Sequence, residues 1–453
     1  MPHAAEDDGR SGPGARSFGG RNFSRKDFLK LGGAGLAGAA LLGSTGCGGG
    51  GGSGGNEVIF SMGPDDTGVL PKQIEKFNKQ NGKDFKVVLR EMPSDTGQYF
   101  DQMRTEFQAG GGNIDVIGGD VIWPAQFAAN GYILDLSDRF KDQDQFLPGP
   151  LQANTYDGKV WGVPWYTDGG LLYYREDLLE KAGYSGPPKS WDELIEQAQK
   201  IQKDEGIEYG FVFQGSEYEG GVCNGCEYIW THGGDILDPN DPSKVIIDSP
   251  EATAGLATWR SLIENGVSPQ AVEQYTEDQS DGTFSRGDAV FERCWPYVYA
   301  VVQDPKASKV VDKVGIAPIP VGEGDQSYST LGGWNFFINA TSDKQEEAWE
   351  FIRWMTDPEQ MTTYALESSR NPTRLGLYED QEILEKVPVT RLAKEVIIDN
   401  TRPRPLSPVY SDMSLELAKQ FNAALGGDVS PEQAVSKLQS DLGRIAEEGQ
   451  KIG

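Results

Sequence analysis

Within Gly162 to Leu179 (GVPWYTDGGLLYYREDLL) the aromatics Trp165 and Tyr166 precede a carboxylate, Asp168, a glycine pair, Gly169 and Gly170, and a strand-like run from Leu171 to Tyr174. An acid framed by aromatic faces suits a cluster of vicinal hydroxyls, because the carboxylate accepts their hydrogen bonds while a ring covers the apolar C–H face of the same molecule. The glycine pair gives the backbone freedom to turn or hinge. The stretch fits equally a pair of core aromatics ahead of an ordinary turn, and the motif alone does not separate the two readings. Residues of the same chemistry recur elsewhere. Trp295 and Trp334 offer flat apolar area, Asp120 accepts from hydroxyl pairs, and Arg404 is a rigid fork able to bridge a hydroxyl or ring oxygen. Each has a plainer alternative: a Trp beside Pro or Gly packs more often than it serves as a platform, and Arg404 between prolines suits an exposed interlobe salt bridge.

The elements that must position these groups follow from periodicity. Val58 to Met62 reads as a strand, Gly68 to Gln80 as a helix with Leu70, Ile74 and Phe77 on one face, Phe85 to Arg90 as a buried strand, and Tyr99 to Ala109 as a helix. Ile114 to Ile117 reads as a strand and Ile122 to Asn130 as a helix. This alternation predicts an open parallel α/β sheet, with ligand groups on loops at the carboxyl ends of its strands. Those loops carry Asp65, Asp66, Ser94, Thr96 and Asp120. Tyr156 to Lys159 is a hairpin turn, after which the pattern restarts. Capping boxes are expected at Ser190 to Glu193 and Ser342 to Gln345, Ser249-Pro250 opens a helix that stops at Gly266, and the closing helix starts at Ser430. Tyr209 to Phe213, Ala289 to Glu292, Gly315 to Ile319 and Asn335 to Asn339 read as strands. Two α/β units joined through a glycine-containing segment give two lobes with a cleft between them.

With 453 residues the chain has room for two domains, each with its own core. Its formal charge of −28 argues against nucleic acid or anionic lipid as a partner of the folded part. Residues 1 to 46 form an export signal: Ser24-Arg25-Lys26-Asp27-Phe28-Leu29-Lys30 resembles a twin-arginine signal with Lys26 in place of the second Arg, and it precedes an apolar run too short to span a bilayer. Ser44-Thr45-Gly46-Cys47 resembles a lipoprotein cleavage box with Ser44 where Leu is usual, making Cys47 the lipid-modified first residue. The glycine-rich run over 47 to 55 is a tether with a reach of about 15–20 Å by chain statistics. In an exported protein the CNGC pair, Cys223 and Cys226, is most simply a disulfide, and Cys294 a buried free thiol. A zinc site from Cys223, Cys226, His232 and Cys294 is disfavoured, since the chain has two His and no second close Cys pair.

Five segments in order, Tyr166 to Arg175 (YTDGGLLYYR), Gln214 to Asn224 (QGSEYEGGVCN), Phe291 to Tyr297 (FERCWPY), Gly332 to Asn335 (GGWN) and Arg402 to Pro405 (RPRP), resemble the extracellular solute-binding proteins of carbohydrate ABC importers, and within them the trehalose/maltose-binding branch. All five fall in expected loops or strand ends. The resemblance covers Asn56 to the C-terminus. It implies a type II periplasmic-binding-protein fold: two lobes crossed by the chain three times, each an open, mostly parallel sheet with flanking helices, closing on a sugar. On this reading residues 56–167 and 322–368 form the first lobe, and 168–321 and 369–453 the second. The ligand residues it implies are Asp66, Ser94, Asp120, Tyr166, Asp168, Trp295, Tyr297, Gly333, Trp334 and Arg404. It implies no metal and no cofactor. It also implies a monomer that holds a disaccharide or short oligosaccharide, sits on the outer face of the cell membrane through its lipid anchor, and delivers the sugar to a permease driven by a cytoplasmic ATPase. Cys294 departs from the Asn usual in that branch, and Gly225-Cys226 from bulkier residues.

Two other classes compete. Asp120 and Asp168 could serve a secreted glycoside-acting enzyme, which needs two carboxyl groups about 5–10 Å apart. No nucleophile elbow, phosphate loop or metal-ligand string accompanies them. A surface adhesin would not require alternating α/β units around polar loop ends.

Overall fold

The computed structural model describes residues 56–449 apart from 83, 112, 240 and 325. The export signal over 1–46, the lipidation at Cys47 and the tether over 47–55 lie outside the described residues. The strands that build the two principal sheets are β1 (Glu57–Met62), β2 (Lys86–Glu91), β3 (Val116–Asp120), β4 (Val163–Gly169), β5 (Leu171–Arg175), β6 (Tyr209–Val212), β7 (Ala289–Cys294), β8 (Val314–Ala317), β9 (Ser329–Ile338), β10 (Asn371–Pro372) and β11 (Thr401–Arg402). The first sheet has the order β10-β4-β9-β3-β1-β2, with β11 paired to β9, and the second β8-β5-β7-β6. The fold is two-lobed α/β, as expected, but the sheets are mixed and not mostly parallel. β1 runs parallel to β2 and β3. β9, by contrast, is antiparallel to both β3 and β4, and β5 to both β7 and β8. Strand-helix-strand units enforce parallel pairing only where a helix crosses over. β4, β5 and β9 arrive from or leave for the other lobe and are free of that constraint.

The period of two places the core. Along β9, Phe336 packs with Phe60, Trp165 and Phe351 on one face of the first sheet, and Phe337 with Tyr99, Trp123 and Phe127 on the other. A separate core under the second sheet gathers Leu172, Phe211, Tyr228, Trp259 and Phe421. The chain passes from β4 to β5 at Gly170 and returns between β8 and β9. The boundary read after Ser368 moves. β10 and β11 both belong to the first sheet, and the helix Pro388–Leu392 touches β8 and β10 alike. Only beyond Arg402 does the chain join the second core, through Val409, Met413 and Leu417.

Several local signals act as read. Asp157 and Gly158 both have positive φ, 50° and 70°, which the two-residue hairpin turn between Thr155–Tyr156 and Lys159–Val160 requires. At the closing helix Pro431–Gly449, Gln433 N donates to Ser430 Oγ and Ser430 N to Gln433 Oε1. The box expected at Ser342 does not form. Ser342 donates instead to Asp115 Oδ1 at 2.6 Å, and the helix begins at Gln345.

Candidate functional site

Alternation decides which side chains of the aromatic stretch face the cleft. In β4, Trp165 is 1% exposed and stacks between Phe336 and Tyr364 at 4.7 and 4.8 Å, so it is core. Tyr166 and Asp168, two residues apart, share one cavity lining. The cavity, of about 390 Å³, is lined by all ten expected residues, Asp66, Ser94, Asp120, Tyr166, Asp168, Trp295, Tyr297, Gly333, Trp334 and Arg404. Asp66 and Ser94 are exposed, on the loops after β1 and β2; Asp120 is buried at the end of β3.

Two partly buried tryptophans come from opposite lobes. Trp334 on β9 lies over Tyr99 with centroids 6.0 Å apart and an interplanar angle of 23°. Trp295, just past β7, donates from Nε1 to Glu277 Oε1 at 3.1 Å and has the Arg293 guanidinium 4.1 Å from its ring. The glycines before Trp334 are set by this packing. A Cβ at Gly332 would stand 3.1 Å from the Trp295 ring, and Gly333 sits at φ +128° beside a register shift, where a Cβ would meet Tyr166 O at 2.4 Å. The bulge itself lies on β4 opposite Trp334, where Trp165 is the extra residue between Tyr166, paired with Trp334, and Pro164, paired with Asn335.

Asp168 is 7% exposed, and its Oδ1 is buried with no hydrogen-bond partner. Burial pushes its carboxyl up to about 6, Arg370 pulling against this and Asp120 adding to it. The Arg370 guanidinium lies 4.6 Å from the Tyr166 ring and 5.0 Å from that of Tyr297, whose hydroxyl donates to Asp281 Oδ2 at 2.7 Å. Burial likewise pushes Asp281 up to about 6. Arg404 lines the cavity and also makes the interlobe ion pairs of its plainer reading, buried and not exposed. Its fork donates to Glu219 Oε1 at 2.6 Å, to Asp120 Oδ1 at 3.1 Å and to Leu331 O at 3.3 Å. It therefore ties the first sheet to the second lobe and leaves only Nε unpartnered. Glu219 also accepts from Tyr410 and Ser414.

Arg370, Glu219, Glu277 and Tyr218 line the same cavity and were not singled out from sequence. Tyr218-Glu219 repeats the acid-beside-aromatic pattern of Tyr166 to Asp168 and was legible on that ground. Arg370 stands in SSRNP with no local pattern to mark it.

The disulfide is corrected: Cys223 and Cys226 are both free and buried. They lie three residues apart inside a helix, Glu219–Thr231, where side chains at that spacing hold their Cβ atoms about 5–6 Å apart, beyond the roughly 3.5–4.5 Å a disulfide spans. The helix itself overturns the loop expected over Glu219 to Asn224. Three glycines lower its propensity, but every residue from Glu219 to Thr231 is buried, and packing outweighs propensity. Cys294 is free and buried, within 4.8 Å of carboxylate oxygens of Asp281 and Glu292. His232 spends both ring nitrogens on Tyr228 O and Thr258 Oγ1.

The chain matches the model of the family described as bacterial extracellular solute-binding protein over residues 63–362. A probable ABC transporter-binding protein of Deinococcus radiodurans is 33% identical over 388 residues, covering 83% of this chain and 90% of that relative. A mannitol-binding protein of Pseudomonas aeruginosa is 25% identical over 375 residues, 76% of this chain and 83% of its own length. Among solved structures, maltose-bound MalE3 of T. maritima aligns with a TM-score of 0.81 at 39% identity, covering 85% of this chain and 98% of that one.

Proposed function

The chain belongs to the family of bacterial extracellular solute-binding proteins, and on that premise we propose that it captures a disaccharide or short oligosaccharide of the trehalose or maltose kind between its lobes and delivers it to the permease of an ABC importer. The observation that carries this reading is the cavity of about 390 Å³ in which Trp295 and Trp334 bring ring area from opposite lobes and Asp66, Asp168 and Arg370 bring charged groups to the same wall. A sugar matches such a wall, with hydroxyls that donate to carboxylates and C–H faces for the rings. Maltose in the MalE3 relative supports the same solute class. The protein acts outside the cytoplasm as a monomer, and Cys47 carries its lipid anchor. The relatives are transporter binding proteins and not enzymes, and Asp120, held by Arg404 and by Ile122 N, is a poor candidate for the second carboxyl of a glycosidase.

Titration calorimetry of the purified protein against trehalose, maltose, sucrose and glucose tests the reading. Binding of one disaccharide at micromolar affinity or tighter, with the sugar recovered unchanged, is expected. A folded protein that takes up none of them, or that cleaves one, would overturn it.

A further inference from the structure

Behind Tyr297 the helix Glu277–Ser285 packs on β7 and brings Asp281 against Glu292 and Cys294. Glu292 and Cys294 stand two apart on the strand and so share a face. One ligand atom from each of the three, two carboxylate oxygens and the Cys294 sulfur, lies within 4.8 Å of the others. Glu292 and Cys294 are both 0% exposed, and Glu292 Oε1, Glu292 Oε2 and Asp281 Oδ1 are buried without a hydrogen-bond partner. Buried carboxylates are costly unless donors or a positive charge meet them. Arg293, between the two on β7, takes the opposite face and is held there by Glu227 at 2.8 and 2.6 Å. Among the described residues no Lys or Arg forms an ion pair with Asp281 or Glu292. The outer partners are those that orient metal ligands. Tyr297 donates to Asp281 Oδ2 at 2.7 Å, which leaves Oδ1 as the free acceptor, and Gln214 Nε2 approaches Cys294 Sγ at 3.6 Å. A proton shared between the carboxyls satisfies one oxygen of each and gives the sulfur no role. A divalent cation satisfies all three groups at once.

We propose that Asp281, Glu292 and Cys294 bind one zinc ion per chain, through an oxygen of each carboxylate and the sulfur of Cys294, whose thiol proton is released to solvent as the ion enters. Two carboxylates and a thiolate suit zinc, which is bound four-coordinate by oxygen, nitrogen and sulfur, with the fourth position left to a second carboxylate oxygen or a water. Magnesium and calcium need more oxygen ligands and reject sulfur. This set differs from the one disfavoured from sequence, because packing of a helix on a strand, and no sequence spacing, brings its carboxylates together. None of the three lines the sugar cavity, so the proposal stands apart from the sugar-binding reading. The ion would clamp the helix to β7, and that helix steadies both aromatics of the cavity wall. Glu277 accepts from Trp295 Nε1 at 3.1 Å, and Asp281, one turn on, accepts from Tyr297.

The test is made on the full chain, stripped with a chelator and returned to metal-free buffer. Calorimetric titration with zinc is expected to show one site of submicromolar affinity, and the melting temperature to rise with zinc concentration. Cobalt(II) in place of zinc should give a thiolate-to-metal charge-transfer band in the near ultraviolet. That band should persist in the triple variant Cys47→Ser, Cys223→Ala, Cys226→Ala, which keeps Cys294 as the chain's single thiol, and vanish in Cys294→Ser. Glu292→Gln keeps the shape of the side chain and should weaken zinc binding at least tenfold with the fold retained. No zinc taken up by the unaltered protein overturns the proposal and leaves Asp281 and Glu292 sharing a proton. A band that survives Cys294→Ser overturns it too, because the metal then sits elsewhere.

Discussion

At the carboxylate of Asp168, burial and the neighbouring guanidinium groups act in opposite directions. Burial prevails and sets the carboxyl at about 6, with Arg370 and Arg293 lowering it and Asp120 raising it. The folded chain then holds a proton that the unfolded chain, with an ordinary value near 3.9, has released. Stability from this group is full below about pH 4 and is lost as pH rises through about 6, an order of roughly 3 kcal/mol. Hydroxyls that donate to the ionised form reverse the preference, so sugar affinity should fall as pH drops from 8 to 5. Calorimetry over that range on the unaltered protein and on Asp168→Asn checks this: the variant should bind more weakly at pH 7.5 and lose most of the slope. Any slope it keeps belongs to the other carboxyls that burial raises, Asp66 and Asp120 in the cavity wall and Asp281 beneath Tyr297. Trp295→Ala removes a ring wall and should weaken binding by about 1.5–3 kcal/mol, roughly 10- to 150-fold, while the urea midpoint moves little because the ring is only partly buried. A variant that unfolds would place Trp295 in the core.

Among the elements, the helix Glu219–Thr231 joins site to hinge. Its first residue pairs with Arg404, and its ninth, Glu227, holds Arg293 through two hydrogen bonds of 2.8 and 2.6 Å and accepts from Thr330 N at 3.0 Å. Gly170, the residue between β4 and β5, lies against this pair, and a Cβ there would stand 2.2 Å from Glu227 Oε1. The glycine is thus needed for close approach, beyond any freedom to turn. Arg404→Met would strand Asp120 and Glu219 as buried charges, and a loss of about 3–5 kcal/mol in urea unfolding is expected. Adding Glu219→Gln should return part of it. The free state of Cys223 and Cys226 is checked by alkylation in denaturant without reductant: both are expected to be labelled alongside Cys294, whereas a disulfide would leave them unlabelled. Here sequence reading was weakest, since a run of EGGVCNGC carries loop composition and its helical state follows from contacts with β9 and with Tyr410–Gly426.

For the whole molecule, a ligand gripped by both lobes must stabilise the fold in proportion to its occupancy. A sugar at one hundred times its dissociation constant should add about 2.7 kcal/mol, read as a concentration-dependent rise in melting temperature, and solution scattering should show a smaller radius of gyration with sugar bound. An unchanged melting temperature with a sugar that calorimetry shows to bind would mean that it rests on the surface. Much of this plan was legible in the chain. Strand and helix periods, helix caps, the hairpin turn at Asp157-Gly158 and the polar loop ends are local properties, fixed by residues a few positions apart, and they delivered the α/β class and the loops that reach the cleft. The ten residues lining one cavity were named from motifs up to some 340 positions apart, and motif likeness could gather them without saying how they touch. Only the tertiary structure decided that Trp165 is core while Tyr166 faces the cleft, that Arg404 is spent on Asp120 and Glu219, that Arg370 joins the lining, and that β10 and β11 return to the first sheet. These outcomes depend on which distant groups share a low-dielectric space, where an unpaired charge or a misplaced ring costs several kcal/mol, and short-range pattern carries no record of that.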